Sequence, residues 1–214
     1  MQTLEMIKKY KIIAILRGYT KEQTHRTAEA LLKGGIRLIE ATFDQSGNPE
    51  DTAQTIQDLC AAFGSEAQIG AGTVMNPKQV DIAYQAGAKY IISPNTDEDV
   101  IKRTKELGLI SMPGALTPTE ITQAYKFGGD IIKIFPANIL GVPYIKAIRA
   151  PLHHIPMSAV GGIDKYNIAD FLKTGVCCVG VGGKLADSHA IAAGKYNELS
   201  DVAIRMCSAI RDAE

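Results

Sequence analysis

At 214 residues, with 46% hydrophobic and 21% charged side chains, the chain can bury one sizeable core and is expected to form a single domain over 1–214. Lysine plus arginine equals aspartate plus glutamate at 23 each, so no surplus of one sign is available to grip nucleic acid or an anionic membrane. No stretch approaches the roughly 20 apolar residues of a membrane-crossing helix, and residues 1–11 lack the apolar run of a secretory leader, so a cytoplasmic protein is expected.

The first β-branched run, residues 12–16, is followed by an amphipathic stretch at 22–33. Strand and helix signals then alternate: 38–43 and 49–63, 67–74 and 77–86, 90–93 and 98–107, 109–112 and 118–127. The remainder are 131–135 and 143–150, 157–160 and 168–174, and 176–181 with a closing helix at 198–211. Thr20 with Gln23, and Thr117 with Glu120, have the spacing of capping boxes, while Asn48-Pro49 and Asn76-Pro77 place a cap before a proline in the first turn. Gly34-Gly35, Gly87, Gly108, Gly128-Gly129 and Gly175 follow helices where a left-handed cap is expected. Eight strand–helix units without a break in composition predict an α/β fold of the (β/α)8 TIM-barrel type, with an open doubly wound sheet as the alternative. Gly70-Ala71-Gly72 and Gly180-Val181-Gly182-Gly183 do not complete a dinucleotide fingerprint and do not follow the first strand.

Cys60, Cys177, Cys178 and Cys207 lack the paired spacing of a zinc site, and Cys177 and Cys178 fit a strand pattern as small core residues. No metal or cofactor site is expected. His153 and His154 follow Pro151 in a polar stretch and are expected in a solvated loop.

Lys133 is the residue that invites chemistry. It lies between Asp130-Ile131-Ile132 and Ile134-Phe135-Pro136, inside an apolar strand. An ammonium removed from water tends to shed its proton, and a neutral amine is a nucleophile toward a carbonyl. In a barrel the site lies at the C-terminal ends of the strands. Arg17 stands there after strand 1, Glu40 on strand 2, Thr73 after strand 3, Pro94 after strand 4, Gly161 and Gly162 after strand 7, and Gly182, Gly183 and Lys184 after strand 8. Alternation groups Leu38, Glu40 and Thr42 on one face, and Ile131, Lys133 and Phe135 on another, without saying which face points inward. If Glu40 and Lys133 both do, an acid and an amine share one dry space; a structural buried ion pair is the competing account. Exposed N–H groups at the paired glycines suit a phosphate, with Lys184 adding a point charge, although tight turns alone would also call for glycine. Arg17 suits a carboxylate, or is a surface arginine. Thr73 offers a hydroxyl or a strand-end cap, and Pro94 a wall or a strand end.

Residues 36–42 (IRLIEAT), 69–74 (IGAGTV), 92–95 (ISPN), 112–114 (MPG), 132–136 (IKIFP), 160–163 (VGGI) and 179–183 (VGVGG) fall in order over nearly the whole chain. Together they resemble the 2-keto-3-deoxy-6-phosphogluconate (KDPG) / 4-hydroxy-2-oxoglutarate (KHG) aldolases, class I enzymes on a (β/α)8 barrel. The resemblance implies cleavage of a 2-keto-3-deoxy-6-phospho-sugar acid, or of 4-hydroxy-2-oxoglutarate, to pyruvate and an aldehyde (glyceraldehyde 3-phosphate or glyoxylate). It implies Lys133 as the Schiff-base lysine, Glu40 as the proton carrier, Thr73 and Pro94 at the pyruvate end, Gly161, Gly162, Gly182 and Gly183 on the phosphate, no metal, and a homotrimer. Three departures stand out. Asp44 lies about where some members carry a carboxylate-binding arginine, which shifts that role to Arg17. Val160 precedes the strand-7 glycines where gluconate-type members often have threonine, a form like the 6-phosphogalactonate branch. Lys184 stands where a serine often follows the last glycines. Two rivals remain on the same barrel: a phosphosugar isomerase or epimerase, and a phosphosugar-binding protein without turnover.

Overall fold

A computed structural model of the chain describes residues 2–211. The order is α1 (Thr3–Tyr10), β1 (Ile12–Leu16), α2 (Lys21–Lys33), β2 (Leu38–Thr42), α3 (Pro49–Phe63), β3 (Gln68–Gly72), α4 (Pro77–Gln85), β4 (Tyr90–Ile92) and α5 (Glu98–Glu106). It continues with β5 (Ile110–Met112), β6 (Gly114–Ala115), α6 (Pro118–Lys126), β7 (Ile132–Ile134), α7 (Ala137–Arg149), β8 (Met157–Val160), α8 (Ile168–Leu172), β9 (Cys178–Val181), α9 (Ser188–Ala192) and α10 (Tyr196–Arg211). No helix among the described residues is long and apolar enough to cross a membrane.

Among the described residues nine strands form one parallel sheet in the order β5-β4-β3-β2-β1-β9-β8-β7-β6. Its two edges are consecutive pieces of one stretch of chain, separated by Pro113. β5 pairs with β4, β6 pairs with β7, and Lys133 N–H donates to the Pro113 carbonyl at 2.8 Å. The sheet therefore closes as a TIM barrel of eight staves, the fifth split in two. Proline has no N–H to give a ladder, which accounts for a break that the apolar pattern at 109–112 does not reveal.

The caps form as expected. Thr20 and Thr117 accept from Gln23 and Glu120 in complete capping boxes, and Asn48 and Asn76 accept from Glu50 and Gln79. Gly35, at φ 98°, turns the chain out of α2 with a left-handed residue. The closing helix is longer at its start than the pattern at 198–211, and α7 begins before Pro143 as a short turn broken at Gly141. Helices α1 and α9 have no counterpart in the sequence pattern. Cys178 is fully buried, but Cys177 is only half-buried. His153 and His154 are exposed in a turn.

Two apolar clusters divide the interior. The larger lies between the barrel wall and the helices and includes Ala14, Ile39, Ile132, Ala159 and Val179. The smaller fills the inside of the barrel with Ile13, Leu38, Tyr90, Ile131 and Cys178, and Ile7 of α1 plugs it from below. Alternation then settles the question the sequence left open. Leu38 and Ile131 face inward, so Glu40 and Lys133, two residues on, do so as well.

Candidate active site

Above this apolar floor a cavity of about 490 Å³ opens at the C-terminal ends of the strands. Its lining includes Lys133, Glu40, Arg17, Thr73, Pro94, Gly161, Gly162, Gly182, Gly183 and Lys184, so every site residue expected from the sequence reaches one space. The cavity also takes in Ile15, Phe135, Val160, Ile163 and Gly180.

Lys133 is held by its backbone on both sides. It stands in register with Gly114 of β6 and Ser158 of β8. The entry to β7 is pinned by Asp130, which accepts from the Ser111 N–H at 2.8 Å and pairs with Lys105 at 2.7 Å. The side chain is only 6% exposed, and its Nζ lies 4.7 Å from the centre of the Phe135 ring. Burial pushes its pKa below the ordinary 10.5; Glu40 opposes the shift and Arg17 adds to it.

Glu40 is 2% exposed, in register with Ile15 of β1 and Gly70 of β3. Burial raises its carboxyl above the usual carboxylate range, against the pull of Lys133 and Arg17. Gly72 makes room for it: a Cβ there would stand 1.7 Å from Glu40 Oε1 and 2.6 Å from Cγ. Gly70 makes room in the same way in the layer below, where a Cβ would meet the Tyr90 ring at 2.2 Å. Amine and acid are thus both biased toward their uncharged forms, the state from which a lysine attacks a ketone and a carboxyl hands on a proton.

Arg17 and Thr73 meet within the same cavity. Arg17 Nη2 donates to Thr73 Oγ1 at 2.8 Å, which leaves the threonine hydrogen free to point elsewhere. Thr73 is left-handed, at φ 55°. For a β-branched residue that conformation costs on the order of 1–3 kcal/mol and has to be imposed by its surroundings. Asp44 does not line the cavity. It is exposed and turned onto Ser46, accepting from its N–H at 2.9 Å and its hydroxyl at 2.7 Å.

The two glycine pairs differ. Gly161 and Gly162 have φ of 110° and 67°, and a Cβ at Gly162 would strike Asn138 at 2.4 Å, so a tight turn already demands glycine. Gly183 would meet nothing within 4 Å, and at Gly182 only Ile15 Cβ at 3.9 Å. Neither has a positive φ. Glycine at 182 and 183 is therefore not explained by the fold, and bare backbone at the cavity wall fits an anion that approaches closely.

A family model described as KDPG and KHG aldolase matches residues 4–202. The chain belongs to this family. Among KDPG/KHG aldolase relatives, it is 36% identical over 178 residues to the 2-dehydro-3-deoxy-6-phosphogalactonate aldolase of Escherichia coli K12, covering 83% of this chain and 85% of that protein. It is 33% identical over 178 residues to the KHG/KDPG aldolase of the same organism, covering 82% and 81%. The structure of a KDPG aldolase from Legionella pneumophila, with pyruvate captured at low pH as a covalent carbinolamine, superimposes with a TM-score of 0.87 at 26% identity, covering 96% of this chain and 98% of that one.

Some lining residues of this KDPG/KHG aldolase family member do not stand out in the sequence. Ile15 and Phe135 carry a signal, since each stands two residues from a named site residue on the same strand face. Asn138, which stands behind the lining rather than in it, carries none; it meets Gly162 because α7 starts with a turn directly after Pro136.

Proposed function

We propose that the protein cleaves a 2-keto-3-deoxy-6-phospho-sugar acid by a class I aldolase mechanism, with Lys133 and Glu40 as catalytic residues. The observation that carries this reading is a buried lysine with a lowered pKa, sharing one closed barrel floor and one cavity with a buried glutamate whose pKa is raised. Arg17 and the Thr73 hydroxyl bind the carboxylate, and Pro94 walls the pyruvate end. Gly182 and Gly183 present N–H groups to the phosphate, Gly161 and Gly162 shape its other side, and Lys184 adds charge.

Lys133 Nζ attacks the C2 ketone, and loss of water from the carbinolamine gives an iminium. Neutral Glu40 gives its proton to the departing carbinolamine hydroxyl, and the carboxylate so formed takes the C4 hydroxyl proton. The C3–C4 bonding pair flows into the iminium to give an enamine, and the aldehyde, glyceraldehyde 3-phosphate, leaves. Glu40 returns its proton to C3, and water releases pyruvate and the amine. The iminium is the electron sink, so this bond cleavage needs no Lewis acid.

Borohydride added with pyruvate is expected to fix one adduct on Lys133, read by peptide mass spectrometry. An unlabelled Lys133 in folded protein would refute the reading and favour an isomerase or a silent binder. Val160 in place of a hydroxyl-bearing residue supports a galactonate-type preference at C4, tested by comparing cleavage of the two C4 epimers. Equal rates would remove that preference from the proposal.

Assembly as a homotrimer is supported by an apolar patch beside the cavity mouth. Ile139 is 68% exposed, Leu140 44% and Phe135 37%, apolar side chains that a subunit interface would cover. Light scattering behind size exclusion gives the mass directly. A phosphorylated sugar acid does not diffuse through a bilayer, which supports work in the cytoplasm.

A further inference from the structure

We propose that Gln79 and Gln45 are positioning residues for the carboxylate end of the site. The inference rests on the assignment of Arg17 and Thr73 to the substrate carboxylate.

Thr73 does not adopt its left-handed conformation by its own preference. Two hydrogen bonds around it account for the shape. Gln45 Nε2, from the loop after β2, donates to the Thr73 carbonyl at 2.7 Å. Gln79 Oε1, from the first turn of α4, accepts from the Met75 N–H at 2.7 Å. The two carboxamides are joined, since Gln79 Nε2 donates to Gln45 Oε1 at 3.2 Å. Gln79 is 6% exposed, a depth at which an amide is retained only when its polar atoms are matched. Its backbone N–H is already capped by Asn76 Oδ1 at 3.0 Å.

A helix-capping glutamine needs only its carbonyl oxygen. Here the amide nitrogen is used as well, and it reaches across to another loop. The chain of contacts runs from Gln79 to Gln45, to the Thr73 backbone, to Thr73 Oγ1 and to the Arg17 guanidinium. Gln45 and Gln79 are absent from the cavity lining, so they act through Thr73 and Arg17 rather than on substrate. By fixing which way the threonine oxygen faces, they fix the guanidinium plane that meets the carboxylate.

The test uses Gln45→Ala, an exposed position, and Gln79→Glu, which keeps the acceptor for Met75 N–H but loses the donor to Gln45. Half-saturation of borohydride trapping by pyruvate is measured with the full-length protein, alongside its melting temperature. Both variants are expected to need roughly tenfold more pyruvate, with the adduct on Lys133 reaching the same plateau. Lowered melting temperature with unshifted half-saturation would overturn the positioning role and leave the aldolase reading standing. No adduct in the unsubstituted protein would overturn both.

Discussion

Gly72→Ala is the sharpest test of the proton-carrying role given to Glu40, because it adds one methyl group and no charge. The new Cβ would lie 1.7 Å from Glu40 Oε1, 2.5 Å from Cδ and 2.6 Å from Cγ, whereas ordinary contact begins at 3.4 Å. The conflict is with three atoms of one side chain, so rotating the carboxylate end alone does not relieve it. The carboxylate must retreat by about 1.7 Å, in a space where Glu40 is only 2% exposed. Displacements of that order are worth about a hundredfold in rate when a group must meet a proton in flight. Overpacking costs about 1–3 kcal/mol of stability besides. Gly72 lies outside the left-handed region, so alanine meets no backbone penalty. The assay is steady-state cleavage of the phosphorylated keto acid, paired with borohydride trapping of pyruvate. The expected result is kcat down about a hundredfold, with the Lys133 adduct still formed at saturating pyruvate. A Gly72→Ala protein that folds, binds and turns over at the parent rate would refute the claim that Glu40 works from this position.

Lys133→Met should abolish turnover and the borohydride adduct, and raise the melting temperature, because a buried amine is replaced by an apolar chain of similar volume. Glu40→Gln should change how stability depends on pH. The folded pKa of Glu40 lies above the ordinary 4.5, so its contribution is full below that pH and is lost as pH rises through the folded value. Relative to the parent, Glu40→Gln should therefore gain stability as pH rises above the ordinary carboxylate value, levelling off once the folded Glu40 is ionised, as read in denaturant titrations; an unchanged difference would count against the burial-driven shift. Lys184→Ser should raise KM for the phosphorylated substrate about two- to fivefold, since an exposed charge is worth little, and leave half-saturation by pyruvate unmoved.

Much of the barrel is legible in the sequence because its helices announce their own starts. Asn48-Pro49, Asn76-Pro77 and the Thr20 and Thr117 boxes act within one turn of chain, so local chemistry suffices to place them. Glu40 and Lys133 are legible for the opposite reason: each is a charge in a run where charge does not belong. The inward direction of those strands is not readable, since alternation defines two faces and only packing of Ile7, Leu38 and Ile131 chooses between them. The break at Pro113 escapes because it depends on two different neighbouring strands. Gln45 and Gln79 escape as well, being ordinary polar residues made important by a bond between a loop and a helix start 34 residues apart.

The plug formed by Ile7 ties the start of the chain to chemistry it never touches. Water entering from beneath would solvate the barrel interior and return Lys133 toward the protonation of an ordinary amine. A fusion partner or truncation that loosens α1 would thus shift the pH at which the amine becomes reactive, while every residue around the substrate stayed in place. For anyone preparing this protein, the safer end for an added tag is the other one.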